Sequence, residues 1–273
     1  MAGWNDYPGA QLFVPAPMWD DPVQGAAKNC SCIAGMVSLA WVAPQFVSQN
    51  LTASTQAYLY KPAKILQQQT SKLWLDDAGK LVYVRSKDSA APTNELWPAY
   101  YEKAYAKFVQ NIANIDTNPV MTGGPETWLN FSTTPLYKMT GWTNNPTYNG
   151  TQTDILESFC TPISAQLKTA QTTCPGIAWT AGATAHSYSI LGLYQDASKW
   201  VILRDPLREG AALPNKGRPQ AASVTFATDT YINGTSKGLP KNIAVPLSSG
   251  TFGMSIADFK TYFTAFGFVG QKM

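Results

Sequence analysis

Charge is scarce in this chain. Of its 273 residues only 14% are Asp, Glu, Lys or Arg, and net charge is +3, well below the usual quarter of charged residues. Neither that balance nor any Lys/Arg block argues for a nucleic-acid or anionic-membrane partner. No apolar run reaches the length of a bilayer span. The first residues, Met1-Ala2-Gly3-Trp4-Asn5-Asp6-Tyr7-Pro8, lack the basic-then-apolar pattern of a secretory signal. The chain is read either as cytosolic or as a mature piece of a secreted protein. Four cysteines are too few for a disulfide scaffold, although Cys160 and Cys174 could pair in an oxidising compartment. Asn-x-Ser/Thr patterns at Asn50, Asn130, Asn149 and Asn233 favour secretion mildly. A glycan at Asn29-Cys30-Ser31 would bury the neighbouring thiol. Histidine is scarcest of all, with one, His186.

What is present is a 45% hydrophobic chain, able to bury one large core or two small ones. Residues 1–22, rich in Pro, Gly, Asp and Trp, read as an extended surface lead-in. Gln24-Gly25-Ala26-Ala27-Lys28-Asn29-Cys30 reads as a turn entering a helix. Cys30, Ile33, Ala34, Val37, Leu39, Ala40 and Trp41 recur mostly at helical spacing, so the helix is largely buried, and Pro44 limits it. Ala57–Gln69 reads as a weak helical patch broken by Pro62. Leu73–Asp77 and Lys80–Ser86 read as a hairpin around Asp77-Ala78-Gly79. Glu95–Asn111 reads as a helix capped by Asn94, with a break at Gly123-Gly124-Pro125. Further on, Leu136–Thr140 is expected as a strand, Asn144–Gly150 as a loop and Thr153–Thr169 as a helix. Gly176–Gly182, Ser187–Tyr194, Lys199–Asp205, Ala222–Ala227 and Asn242–Pro246 are expected strands, with a Pro/Gly/Arg-rich loop over 206–220. Met254–Phe266 is a helix or helix-plus-strand. This is an α+β pattern: a mainly helical lobe, 1–124, then an antiparallel β-rich lobe, 125–273, with a site expected in the cleft between them.

A thiol at a helix start is favoured as thiolate by the helix dipole. Cys30 holds that position, and the Gln24 amide could donate to an oxyanion beside it. If Cys30 needs an imidazole base, only His186 supplies it. Asp205, ending the next strand, could come beside His186 through a hairpin and hold its tautomer. Each residue also has an ordinary alternative: a buried Cys as a small apolar group, a lone His before a strand, and Asp205-Pro206 as a plain turn. Cys32 faces away from Cys30 on a helix and reads as core. Zinc fits poorly, because Cys30-x-Cys32 is too close for ligand spacing and Cys160 and Cys174 have no second His.

Several stretches resemble the protease core of the calpains, papain-like cysteine endopeptidases. Gln24-Gly25 followed by Asn29-Cys30 is similar to that family's Gln-Gly-x-x-x-Asp-Cys. Gly79-Lys80-Leu81 through Trp97 and Glu102-Lys103-Ala104-Tyr105-Ala106-Lys107 is similar to its Gly-Lys-Leu…Trp…Glu-Lys-Ala-Tyr-Ala-Lys signature. Gly123-Gly124 resembles its inter-lobe double glycine, Ala185-His186-Ser187-Tyr188-Ser189 its Gly-His-Ala-Tyr-Ser, and Thr251–Phe259 its closing motif. The resemblance runs in order from about Pro22 to Phe266. It implies a papain-like two-lobe fold and cleavage of a polypeptide substrate through a thioester. Cys30 would be the nucleophile, His186 the base, Asp205 the orienting group and Gln24 an oxyanion donor. A cytoplasmic setting is implied too.

Two departures stand out. Asp205-Pro206-Leu207-Arg208 replaces the family's Asn-Pro-Trp-Gly; an aspartate orients imidazole by a charge-assisted bond, and the missing tryptophan leaves that bond less shielded from water. The family's core binds calcium, but Ser249-Gly250-Thr251 replaces its acidic positions, and the chain has 17 acidic residues in all, so oxygen ligands for calcium are not evident and no other cofactor is implied. Two other readings share these residues: acyl transfer to an amine, giving ligation or cyclisation, and a calpain-fold binding module without catalysis.

Overall fold

The computed structural model describes residues 2–7, 11–86, 95–117, 131–182, 185–207, 223–228, 231–232, 235–236, 241–246 and 250–270. The fold is α+β. In chain order it runs β1 (Gly3–Asp6), α1 (Cys30–Val42), α2 (Pro44–Asn50), β2 (Leu51–Ala53), β3 (Gln56–Lys61), β4 (Ala63–Gln68), β5 (Lys72–Leu75), α3 (Trp97–Gln110) and α4 (Thr134–Thr140). There follow β6 (Tyr148–Asn149), α5 (Asp154–Glu157), β7 (Thr169–Trp179), β8 (Ser187–Gln195), β9 (Lys199–Arg204), β10 (Ser223–Thr228), β11 (Tyr231–Ile232), β12 (Thr235–Ser236), β13 (Lys241–Pro246), β14 (Thr251–Ser255), α6 (Ile256–Tyr262) and β15 (Ala265–Phe268).

The second half is built on a six-stranded antiparallel sheet, ordered β14-β9-β8-β7-β15-β6. Helix α1 lies across β7 and β8. All 13 of its residues are buried, as a helix caught between two layers must be. Fully burying an Ile, Leu, Met or Val contributes about 1.5–3 kcal/mol, so Ile33, Met36, Val37 and Leu39, each at 0% exposure, dominate its attachment. A row of polar ties sets its register. The Ser31 and Ser187 hydroxyls meet at 2.6 Å, Ser189 Oγ donates to the Ala34 carbonyl at 2.8 Å, Trp41 Nε1 to that of Leu191 at 2.8 Å, and the Gly176 N–H to Ser38 Oγ at 2.7 Å. Residues 187, 189 and 191 share one face of a strand. They meet the helix at Ser31, Ala34 and Trp41 in turn. Each tie adds only about 1 kcal/mol, yet all would be broken by a one-residue slip. Trp41, Ile177, Leu191 and Ile202 share one apolar cluster with α3 and α4 residues. A second cluster, rich in Phe, fills the opposite face of the sheet.

Several expectations are corrected. Ala57–Gln69 is no helix but the β3–β4 hairpin, with Lys61 paired to Ala63 around Pro62; Ala57 and Leu59 are buried at strand spacing. Leu136–Thr140 is helical, not extended: Pro135 lies in the first turn of α4 and Gly141 ends it at φ 67°, the Pro-start, Gly-end asymmetry of helices. The helix expected over Thr153–Thr169 lasts only from Asp154 to Glu157. Pro162 cannot continue it, and Cys160 bridges to Thr172 instead. The Asp76–Gly79 turn is present, but its return segment splits its pairing: Leu81 bridges Leu75, and Arg85 bridges Val23. Part of the lead-in is strand β1, paired with β5. The region 144–150, expected as loop, contributes β6. Helix α4 packs on α1 and β3. The Asn94 cap, the Gly123-Gly124 break and the 124/125 boundary lie outside the described residues, as does the Pro/Gly/Arg-rich loop beyond Leu207.

Candidate active site

The segment before α1 is pinned from two sides. The Val23 N–H donates to the Arg85 carbonyl and the Ala26 N–H to that of Val82, both at 2.9 Å. The chains touch at Gly25: a Cβ there would sit 2.0 Å from the Tyr83 carbonyl oxygen, so only glycine fits. From the other half, the Gln24 N–H donates to the Pro206 carbonyl at 2.9 Å. Arg204, fully buried at the end of β9, donates through Nη2 to the Asp20 and Pro22 carbonyls at 3.0 and 2.9 Å. Residues 20–24 thus join the two halves beside the start of α1.

Cys30 is the first residue of α1 and 9% exposed. Its backbone N–H has no acceptor within the helix. Asn29, the N-cap, places no side-chain bond on its own helix. Its Nδ2 instead donates to Glu102 Oε1 at 2.6 Å, while Glu102 Oε2 accepts from the Val84 N–H at 3.0 Å. The Glu-Lys-Ala-Tyr-Ala-Lys stretch thereby acquires a physical meaning: Glu102 reaches across to the residue before the thiol. On the same helix Lys103 donates to the Thr70 and Lys72 carbonyls at 3.1 and 2.6 Å and pairs with Asp116 at 2.8 Å.

Strands β8 and β9 form the hairpin expected from sequence. Ser189 lies opposite Arg204, so the residue before β8 and the residue after β9 meet at one end of the sheet. There His186 Nε2 lies 2.9 Å from Asp205 Oδ1. Asp205 is 0% exposed. The carboxylate end of the bond is thus closed to water, while the His186 side chain keeps 13% exposure. The Leu207 N–H itself donates to Asp205 Oδ1 at 2.9 Å, and the Asp205 N–H donates to the Gly250 carbonyl at 2.9 Å. The imidazole is fixed further by its backbone, which exchanges bonds with Thr180, and by Tyr188, edge-on at 4.9 Å. With Nε2 turned to Asp205, Nδ1 is the ring nitrogen left for Cys30.

Besides burial, the surroundings that act on the Cys30 thiol are the His186 ring, through hydrogen bonding and charge, and then Ser187. Burial opposes its ionisation, but these groups and the imidazolium charge outweigh burial and bring the thiol below its ordinary range. Burial likewise disfavours the imidazolium, yet the bond to Asp205 and the bond and charge of Cys30 raise His186 to about 9. A thiolate–imidazolium pair is the form these surroundings favour.

Gln24 is buried beside this group, but its Nε2 donates to the Ala27 carbonyl at 2.8 Å. One amide hydrogen is thus committed and one left for a ligand. Of the four residues singled out from sequence, Cys30, His186 and Asp205 converge directly, and Gln24 lies next to them through Pro206. Sequence reasoning gave no role to Ser31, Ser187 or Thr180, and passed over the link between Asn29 and Glu102. Cys32 is core, 2% exposed. All four cysteines are free thiols, including Cys160 and Cys174. Two sequons lose their meaning: Asn29 Nδ2 is engaged by Glu102, and Asn50, 1% exposed, donates through Nδ2 to the Phe46 carbonyl at 2.9 Å. Asn149 is exposed, while Asn130 and Asn233 lie outside the described residues. Among the described residues no three His, Cys, Asp or Glu side chains are grouped to hold a metal. Nor is any single helix there long and apolar enough to cross a membrane.

No protein-family model matches this chain, and no curated protein is significantly similar to it.

Proposed function

We propose that the chain is a cysteine endopeptidase of the calpain-like, papain-fold kind, its two lobes being residues 1–124, which carry α1 to α3, and residues 125–273, which carry the six-stranded sheet. The observation that carries this reading is the 2.9 Å His186–Asp205 bond on an imidazole whose other side meets a thiol of lowered pKa at a helix start. An ordinary core cysteine would have neither the donors nor the shift. In the reaction, the Cys30 thiolate attacks the carbonyl carbon of a polypeptide substrate. The carbonyl oxygen takes the negative charge, stabilised by the Cys30 N–H and the free hydrogen of the Gln24 amide. His186 passes its proton to the leaving amine, the C–N bond breaks and a thioester remains. Water then adds, His186 takes its proton and returns it to sulfur or keeps it as the ion pair re-forms, and the acid product leaves. Asp205 holds the ring and its charge throughout without itself taking a proton.

The test is cleavage of a peptide library by the whole chain, with and without a calcium chelator, read by product mass. Cleavage products carrying one added water are expected, and none from His186→Ala. Undiminished cleavage by His186→Ala would overturn the assignment, and ligated products would overturn hydrolysis as the outcome.

A further inference from the structure

One buried cation has no part in the proposed mechanism. Arg204, at the end of β9, is 0% exposed. It lies opposite Ser189 of β8 and Thr251 of β14, so its backbone is fixed inside the sheet. We infer that Arg204 is a positioning residue: its guanidinium clamps residues 20–24 and thereby sets the Gln24 amide beside Cys30, a role that rests on the endopeptidase reading above. Nη2 carries two hydrogens. It gives one to the Asp20 carbonyl at 3.0 Å and one to the Pro22 carbonyl at 2.9 Å. Two residues further on, the Gln24 N–H donates to the Pro206 carbonyl at 2.9 Å. Residues 20, 22 and 24 thus make these backbone bonds toward the end of β9. Val23, between them, exchanges bonds with Arg85 at 2.9 and 3.0 Å, and the Asp21 carboxylate accepts from Trp97 Nε1 of α3 at 2.9 Å. The guanidinium also lies 5.8 Å from the centre of the Trp19 ring, which is edge-on to Trp41 of α1 at 5.6 Å.

Arg204 and Asp205 are neighbours, so the end of β9 serves both arms of the site. Asp205 holds the imidazole, and Arg204 holds the segment that carries Gln24 toward Cys30. The two arms are separable. Helix α1, with Cys30, is tied to β7 and β8 by its own polar bonds. The place of the Gln24 amide depends on residues 20–24, which without the guanidinium would lose two of the three bonds named above. Bonds from a charged donor are stronger than neutral ones. Arginine keeps its charge at every working pH and its donors in a rigid fork, where lysine offers a flexible point charge. Alkylation of a thiolate needs no oxyanion donor, whereas acyl transfer does. Loss of the clamp therefore weakens peptide cleavage and spares alkylation.

The experiment compares the parent, Arg204→Lys, Arg204→Met, Gln24→Ala and the double variant Gln24→Ala with Arg204→Met, each first checked for a cooperative melt. Three readouts are taken: kcat and KM for peptide cleavage, the rate of Cys30 alkylation by iodoacetamide, and amide hydrogen exchange over residues 20–27 with α1 as the reference. Displacing an oxyanion donor costs less than removing it, so Arg204→Met lowers kcat by roughly 10- to 100-fold. Alkylation in that variant stays within about threefold of the parent, and exchange over residues 20–27 is at least about tenfold faster. Arg204→Lys recovers part of kcat. In the Gln24→Ala background, Arg204→Met costs no more than about threefold further, because residues that act as a unit are not additive. Alkylation that falls along with cleavage, or a full further loss in the Gln24→Ala background, overturns the inference. If Arg204→Met does not fold, Arg204→Lys carries the test, and parent-like kcat and exchange there overturn the inference. A parent that alkylates but cleaves no peptide removes the protease reading and leaves the clamp to be judged by exchange. Faster exchange over residues 20–27 in the Arg204 variants, with α1 unchanged, then keeps the clamp, and unchanged exchange overturns it.

Discussion

Two regions of this protein hold buried thiols, and they treat them oppositely. Behind β7, Cys174 is pushed up to about 11 by burial, with a bond to Thr173 opposing weakly, and Cys160 is raised still further by burial and then by the charges of Glu157 and Cys174. At the start of α1, Cys30 is buried too, yet its pKa goes down. Cys32, two residues further along the same helix, goes up through burial and then through Glu102. Three of the four are buried and Cys160 partly so; what differs is the set of neighbours. A thiol in apolar surroundings is inert, and a thiol beside an imidazolium at a helix N-terminus is reactive.

The hardest test of that contrast exchanges the thiols one at a time. Cys30→Ala is expected to remove peptide cleavage by at least about 10³-fold, as loss of a nucleophile does. Cys160→Ala leaves activity within about twofold and costs stability instead, by about 1–3 kcal/mol for a partly buried side chain. Activity assays and urea melts on the two variants decide; loss of cleavage in both would dissolve the distinction. A smaller effect is expected from Asp205→Asn, which keeps a hydrogen-bonding oxygen but removes the charge. Peptide cleavage needs thiolate and imidazolium together, so its profile rises through the lowered Cys30 pKa and falls as His186 deprotonates near 9. Without the carboxylate, burial acts on His186 with less opposition, and the alkaline limb moves down by at least about one unit. Removal of a charged hydrogen bond worth about 1.5–3 kcal/mol lowers kcat/KM by roughly 10 to 100-fold. The sign for folding is the same. A His raised from 6.5 to about 9 adds stability that is complete below the unfolded value and lost as pH rises through 9.

Sequence revealed these two regions unequally. Helix α1 was legible because Pro44, the helix start and the apolar spacing agree. The β7–β8–β9 meander was legible because buried strands read as apolar runs, and the hairpin between β8 and β9 then put Asp205 beside His186. The β3–β4 hairpin was not, because the Tyr, Leu, Lys and Gln run around Pro62 carries no turn glycine and suits either period. Around α4, Pro135 and Gly141 were present, but the short apolar run between them was read before its ends. The serines of α1 were invisible for a different reason. Ser31 and Ser38 interrupt an apolar helix, and only the partner strand, 138 to 156 residues away in sequence, shows what they bond. A motif search finds residues that react; it does not find the hydroxyls that tie one layer to the next.

Glu102 sharpens the comparison from the side of the carboxylates. Like Asp205 it is buried, 1% exposed, but among the described residues no cation acts on it. Burial raises its pKa to about 7, against the two bonds it accepts from Val84 and Asn29. Its protonated form is therefore favoured by folding, and the stability this adds is complete below the unfolded value of 4.5 and lost as pH rises through about 7. A shift of that size corresponds to a pH-dependent change on the order of 3 kcal/mol. Glu102→Gln keeps the volume and an acceptor for the Val84 N–H; Asn29 Oδ1, which has no partner among the described residues, can turn to accept from the new amide. Melting temperature should accordingly change less between pH 4.5 and 7.5 in Glu102→Gln than in the parent, with the variant the more stable of the two at the alkaline end. Identical pH dependence in both would mean that Glu102 stays ionised and that burial does not govern this acid. Because Asn29 precedes the thiol, the same variant should shift Cys30 alkylation by no more than a few-fold, the smallest of these effects.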